Sequence, residues 1–378
     1  MVKESCEVEL RRLLGERIAI LDGAMGTTIR EYGLDEGAAR GERFAAAPKD
    51  LLNNGDILSL TQPDVIGDIH KRFYEAGSDI AETNTFSATV LAQSEFFVED
   101  PRESGKGRKD PEFFQKVIEN SMLGELAWEL NVESARLCRQ WADRIGEATG
   151  QRRYVAGAIG PMTVALHQMV DPEDPEFRVV TFDQVRSAYS TQVRALIEGG
   201  VDLLIVETIF DALNAKAALV AIQEVMESEG VALPVIVSAA VGLGGETMTS
   251  GQKAEALWNA VANVRPLAFG LNCSLGPDKM RPFLADISGK VDTFISVYPN
   301  AGLPNPLAPT GFDLVPEDMG RYTDDFAGSG LVNLIGGCCG NTPDHIAAIA
   351  EAARRHAPRE IPEAEPLLRL SGSEPYNH

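Results

Sequence analysis

The chain has 378 residues, 44% of them hydrophobic and 24% charged, the balance of a soluble globular protein with room for one large α/β barrel or two ordinary domains. Its net charge of −22, with basic residues paired only in short pieces such as Arg152 and Arg153, lacks the basic footprint of a nucleic-acid binder. No apolar run nears the roughly 18 residues that suggest a membrane span. The charged, amphipathic start MVKESCEVELRRLLGER has no signal core. No nucleic acid, no membrane and a cytoplasmic location are therefore expected.

In chain order, short apolar segments rich in Val, Ile, Leu and Ala predict eight strands, at about 18–22, 78–83, 155–159, 203–207, 235–239, 268–273, 293–298 and 331–335. Near-continuous apolar runs of this length suit parallel strands buried on both faces. Between them, apolar residues recur three and four apart in PDVIGDIHKRFYEAG, FDQVRSAYSTQVRALIEGG, DALNAKAALVAIQEVMES and TPDHIAAIAEAARRHA. Thr342 ahead of Pro343 signals a helix start, and Gly77 and Gly199 signal stops. Eight β-then-α units predict a (β/α)8 TIM barrel with its functional face at the C-terminal ends of the strands. The doubly wound open sheet is the alternative, but its GxGxxG turn is absent. GLGGETMTSG after the fifth strand lacks a phosphate-loop lysine and reads as a rim loop. The polar stretch around 99–113 reads as an exposed insertion. The Pro- and acid-rich end reads as a linker rather than a packed element, which places the barrel at 1–357 and the linker at 358–378.

The strand ends LDGAMGT, AETNTF, GAIGP, VETIFD, SAAVG, GLNCS, VYPNAG and LIGGCCG carry Asp22, Glu82, Asn84, Glu207, Asn272, Cys273, Tyr298, Asn300, Cys338 and Cys339. No lysine stands among them, which counts against a Schiff-base aldolase. Adjacent cysteines bridge each other only under severe strain, and five cysteines in a reducing compartment argue for metal or catalytic work. Cys273 and Cys338 would flank the seventh strand at one mouth of the barrel. Gly336 and Gly337 would let the backbone bend until Cys338 and Cys339 face one ion. Three thiolates with one open position form a catalytic zinc pattern; the bland alternative is three cysteines serving as small hydrophobes. Cys6 and Cys138 lie in helical patterns and read as structural.

Three thiolates outweigh the charge of the ion, so such a zinc activates water poorly. It binds another soft thiol well and keeps it deprotonated, against a free thiol pKa near 8.5. Alkylation of a substrate thiol is the chemistry this favours. Asp22 and Glu207 suit a cationic amine, and the amides of Gly23 and Ala24 a carboxylate, so a thiol-bearing amino acid fits. Asp22 alone reads equally as a turn residue. His70, His345 and His356 read as surface or packing residues, and His167 as a candidate for the mouth.

The segments LDGAMGT, LTQPDVIGDIHKRFYEAGSDIAETNTF, GAIGP, VETIFDALNAKAAL, GLNCSLGP, YPNAGLPN and GGCCGNTPDHI together resemble the homocysteine S-methyltransferase family over roughly 10–357. The likeness is closest to the homocysteine-binding zinc domain of cobalamin-dependent methionine synthase. The resemblance implies Zn2+ held by Cys273, Cys338 and Cys339, with Asn300 filling the fourth position until homocysteine thiolate replaces it. It implies that Asp22 and Glu207 bind the homocysteine amino group and the Gly23 and Ala24 backbone its carboxylate. It also implies methylcobalamin as methyl donor, carried by a cobalamin-binding domain in the same or a partner chain. A folate-binding domain is expected too, because LLRLSGSEPYNH is similar to the segment leading into one. The insertion and the loop GLGGETMTSGQ, which lacks an expected arginine, depart from the pattern. The rivals are a stand-alone methyltransferase using S-methylmethionine or betaine, and a non-catalytic zinc- or thiol-binding barrel.

Overall fold

In the computed structural model, which describes residues 5–99, 111–363 and 366–378, the apolar segments become a ring of eight parallel strands. These are β1 (Ala19–Ile20), β2 (Ile80–Glu82), β3 (Tyr154–Ile159), β4 (Leu203–Ile209), β5 (Val235–Ala239), β6 (Ala268–Asn272), β7 (Phe294–Tyr298) and β8 (Leu334–Ile335), hydrogen-bonded in the order β1-β8-β7-β6-β5-β4-β3-β2. All residues of β3, β4, β6 and β7 are buried, because one face fills the barrel and the other lies under helices. That double burial is why the strands read as unbroken apolar runs. The architecture is a (β/α)8 TIM barrel.

The ring closes between β1 and β2 through one backbone bridge, Leu21 to Ile80. Below it Asp79 does what a longer ladder would do. Its N–H donates to Ile20 O at 2.8 Å, its carboxylate accepts Ile20 N–H at 3.0 Å, and Arg17 and Arg153 neutralise it at 2.6 and 3.2 Å. β1 and β8 are shorter than the sequence predicts for a related reason. At 331–335 only the last two residues pair as strand, while Asn333, wholly buried, accepts Ile295 N–H and donates to Leu14 O and Arg359 O through its side chain.

The helices start and stop on the expected signals. Phe182–Gly199 opens with a Thr181–Gln184 capping box, and Ala212–Glu229 is capped by Asp211. Pro63–Ala76 ends on Gly77 at φ +114°. The left-handed stop after Gly199 is Gly200, at φ +88°. Gly199 itself is needed for packing, since a Cβ there would sit 2.5 Å from the Ala135 methyl. Of the insertion expected around 99–113, residues 111–113 begin the helix Pro111–Ile118, and 100–110 lies outside the described residues. Among the described residues no helix is long and apolar enough to cross a membrane.

The end of the chain differs from the unpacked segment its composition suggests. Arg359 is buried and donates to the carbonyls of Ser288, Val291 and Thr293 at 2.6–2.8 Å. Beyond it β9 (Arg369–Ser371) and β10 (Pro375–Asn377) form an antiparallel hairpin. The hairpin docks on the helix Ala254–Val261 through Lys253 N–H to Ser373 O at 2.9 Å, Asn259 to Leu370 O at 2.9 Å and Asn377 to Glu255 at 2.7 Å. Backbone and amide hydrogen bonds make these contacts, which a count of prolines and acids does not register.

Candidate metal centre and substrate cavity

Cys273 follows β6, and Cys338 and Cys339 follow β8, so β7 lies between the two thiol segments and its end loop pins both. Tyr298 O accepts Cys273 N–H at 3.2 Å, Pro299 O accepts Cys338 N–H at 2.9 Å, and Ala301 N–H donates to Cys339 O at 2.8 Å. Cys273 and Ser274 adopt φ +57° and +55°, a left-handed conformation that costs a non-glycine residue about 1–3 kcal/mol. The Ser274 hydroxyl, bonded to Val241 O at 2.8 Å, helps hold the turn that aims the Cys273 sulfur.

The three sulfurs converge. Sγ of Cys339 is 3.9 Å from that of Cys273 and 4.0 Å from that of Cys338, and all three lie within 4.8 Å of one another. These separations are far from a disulfide bond of about 2.05 Å. A tetrahedral ion at about 2.3 Å from each sulfur sets the sulfurs about 3.8 Å apart. The donor set and its spacing therefore fit a soft divalent ion. Asn300 lies between Pro299 and Ala301, whose backbones bond Cys338 and Cys339, and its Oδ1 is buried with no hydrogen-bond partner, which is compatible with a further ligand. The thiols also interact with one another: hydrogen bonds from Cys273 and then Cys338 hold the Cys339 pKa below the ordinary thiol range. Among the described residues Cys6 and Cys138 join no such cluster.

The glycines before the pair act differently from the expected hinge. Neither Gly336 nor Gly337 has positive φ; the left-handed residue here is Gly340, at φ +84°. A Cβ on Gly336 would lie 2.8 Å from Asp22 O, and one on Gly337 2.2 Å from Asn341 Cγ. They are glycines because Leu21 and Asp22, just past β1, press against the first and Asn341 against the second.

The cysteines form part of the wall of a cavity of about 680 Å3, which Asp22, Gly23, Ala24, Glu82, Glu207 and Tyr298 also line. Asp22 and Glu207 are 3% and 4% exposed. Burial and then the charge of Glu82 push the Asp22 pKa well up; burial, then Glu82, Cys273 and Asp22 do the same to Glu207. Glu82 itself is raised to about 7 by burial, against a hydrogen bond with Glu207 that lowers it. Three carboxylates thus crowd one cavity; Arg30 also lines it, but the groups that perturb the three carboxyls are one another and Cys273 rather than a cation, and an entering ammonium would relieve them. The Ala24 N–H is committed to Asn341 O at 3.0 Å, which leaves Gly23 as the backbone donor of the expected pair.

Glu82 and Tyr298 stood among the strand ends without a role, and the structure brings both into the cavity. The Tyr298 hydroxyl is buried without a partner in bonding geometry. Its pKa is raised by burial and then by Glu207 and Glu82, so it is a neutral donor facing carboxylates. Asp56, from the segment LLNNGDILSL, also lines the cavity, as do Phe86, Phe96 and Phe312. It follows no strand, and only its place as a carboxylate inside an apolar run marked it. His167 belongs to a neighbouring hollow and is bonded to Asp211 at 2.8 Å. Asn84 is bonded away from the cysteines, to Gly55 O and Ser59.

The crystal structure of the homocysteine methyltransferase MmuM from Escherichia coli in its metallated form superposes with a TM-score of 0.61 at 21% identity, covering 90% of this chain and 99% of that one. Its oxidized form gives a TM-score of 0.60 at 20% identity, covering 88% and 95%. At such identities the likeness speaks to the fold. The sequence goes further, because a family model described as homocysteine S-methyltransferase matches residues 19–353. That match spans most of the chain and makes the protein a member of the homocysteine S-methyltransferase family.

Proposed function

We propose that the protein transfers a methyl group to the thiol of homocysteine, giving methionine, with Zn2+ held by Cys273, Cys338 and Cys339 and by Asn300 until substrate arrives. The observation that carries this reading is the convergence of three sulfurs on the wall of a cavity that also holds a buried carboxylate cluster. Zinc, when bound, supplies a soft cationic position that favours the thiolate form of a substrate thiol at neutral pH. The chain's own residues do the rest. Asp22 and Glu207 take the ammonium, the Gly23 N–H takes the carboxylate, and the substrate is thereby oriented with its sulfur toward the cysteines. Family membership supports methyl transfer to homocysteine.

For the donor, the motif set and the end segment LLRLSGSEPYNH favour the methionine synthase type. In that reading methylcobalamin comes from another domain of the same or a partner chain, with residues past 358 leading toward a folate-binding domain. The cavity offers more volume than a four-carbon amino acid fills, so a donor can approach from the mouth. A stand-alone enzyme is favoured by a different observation: Phe86, Phe96 and Phe312 line the same cavity as Asp56 and Glu95, aromatic and acidic groups that suit a sulfonium or betaine cation, with Arg30 as the opposing charge.

Turnover of the zinc-loaded chain with homocysteine and either methylcobalamin, S-methylmethionine or betaine tests the choice. Methionine from methylcobalamin supports the first reading, and methionine from a small cation supports the second. Methionine from none, with a zinc absorption edge indifferent to homocysteine, refutes methyl transfer. Glu207→Gln and Asp22→Asn should each raise KM for homocysteine by roughly 10- to 150-fold, the worth of one charge-assisted hydrogen bond. An unchanged KM in both would remove the ammonium assignment.

A further inference from the structure

Glu207 does not sit in a regular strand. Against β5, the register of β4 runs Val206 opposite Val237 and then Ile209 opposite Ala239, so Glu207 and Thr208 together oppose Ser238 alone. This is a bulge, a device that re-aims side chains beside functional sites. Thr208 accepts φ +53°, a left-handed conformation that β-branched residues avoid. The bulge therefore needs an external support, and among the described residues one wholly buried side chain, Asn272, bonds to both its strands. Asn272 Oδ1 accepts the Thr208 N–H at 3.0 Å and the Ser238 hydroxyl at 2.7 Å, while its Nδ2 donates to Thr208 Oγ1 at 2.8 Å. Asn272 is the last residue of β6, and the next residue is Cys273, also left-handed at φ +57°.

One amide thus joins the residue after Glu207 to the residue before Cys273. We propose that Asn272 is a positioning residue that fixes the distance between the ammonium-binding Glu207 and the thiol-binding metal ligand Cys273, and so sets selectivity for an amino acid whose amine and sulfur have that spacing. The inference rests on the methyl-transfer reading of the same site. It adds that amine recognition is transmitted through Asn272 rather than being a property of Glu207 alone. An asparagine suits the task because it supplies both an acceptor for two donors and a donor for a hydroxyl, and every polar atom of the junction is satisfied.

The test uses full-length protein loaded with Co2+, whose visible absorption reports thiolate binding. Homocysteine is titrated beside 4-mercaptobutyrate, the same thiol without its amine, into wild type, Asn272→Ala, Thr208→Val and Thr208→Ser. We expect Asn272→Ala to weaken homocysteine by roughly tenfold or more while changing 4-mercaptobutyrate by less than about twofold. Thr208→Val, which deletes one hydrogen bond, should fall between, and Thr208→Ser, which keeps it, should match wild type. Should Asn272→Ala fail to fold, as judged by its thermal transition, the two Thr208 variants carry the same comparison. Equal weakening of both thiols marks a merely structural role and overturns the inference, as does an undiminished preference for homocysteine. Wild type binding homocysteine no better than 4-mercaptobutyrate instead overturns the ammonium assignment, and wild type binding neither overturns the functional reading together with this one.

Discussion

Replacing Cys339 with alanine removes the sulfur that stands 3.9 Å from Cys273 and 4.0 Å from Cys338, the centre of the trio. Structural zinc sites bind with about 10–16 kcal/mol. Shared over four ligands, one thiolate accounts for about 2.5–4 kcal/mol, so the variant should hold zinc roughly 100- to 1,000-fold more weakly. The loss is readable as stability. Free zinc at a thousand times its Kd stabilises the wild-type fold by about 4 kcal/mol, whereas a site weakened a thousandfold keeps only about 0.4 kcal/mol at the same zinc concentration. Thermal melts of both proteins with and without zinc measure this directly, and the intensity of the sulfur-to-cobalt charge-transfer band in Co2+-loaded protein counts the thiolates. Cys339 is part-exposed on a cavity wall, so alanine there leaves no packed void to confuse the melt of the metal-free protein. A variant that zinc stabilises as much as wild type, with an undiminished cobalt band, would refute the three-sulfur centre.

Gly337→Ala places a methyl where Asn341 Cγ is 2.2 Å away; because Asn341 is wholly buried and its amide holds Pro299 O and Cys338 O at 3.0 Å, the metal-binding turn must shift. Overpacking of this kind costs about 1–3 kcal/mol, and we expect lower thermal stability together with weaker zinc retention in a chelator competition. Asp56 supplies a pH test away from the cysteines. Burial raises its carboxyl from 3.8 to about 7, with the Ser87 N–H offsetting only part. A folded-state pKa above the unfolded one means that the fold holds the proton longer, so wild type loses stability as pH climbs from near 4 to 7, at about 1.4 kcal/mol per unit. Asp56→Asn should erase that slope and gain at most on the order of 4 kcal/mol at pH 8 relative to pH 4, measured by urea midpoints across the range. Parallel pH profiles for the two proteins would show that Asp56 is ionised in the native state.

Much of this was legible in the sequence because barrel strands are buried on both faces, so 235–239 could be bounded to the residue from its apolar run alone. Legibility failed where side chains replace ladder hydrogen bonds, as Asp79 and Asn333 do at β1 and β8. The cysteines were readable as a trio because unlike segments ended at the same mouth with the same rare residue. The bulge at Glu207 and Thr208 was not, since VDLLIVETIF carries no glycine to announce it and the support comes from Asn272, 64 residues away. Gly336 and Gly337 were correctly prominent, but glycine can mean either a rare dihedral or a crowded neighbour, and only coordinates distinguish the two.

Asp22 has a second duty that follows from the single-bridge closure of the ring. Its Oδ2 accepts the Glu82 N–H at 3.1 Å, across the gap between the first and last members of the sheet order. The carboxylate is therefore a rivet at the top of the seam, as Asp79 is at the bottom. A ligand that draws charge from Asp22 also tugs on that rivet, so occupancy of the cavity and tightness of the wall become one variable. Hydrogen exchange at the Glu82 amide should therefore quicken when homocysteine binds, because its acceptor is shared with the ammonium; an unchanged rate would show that the two duties of Asp22 are independent.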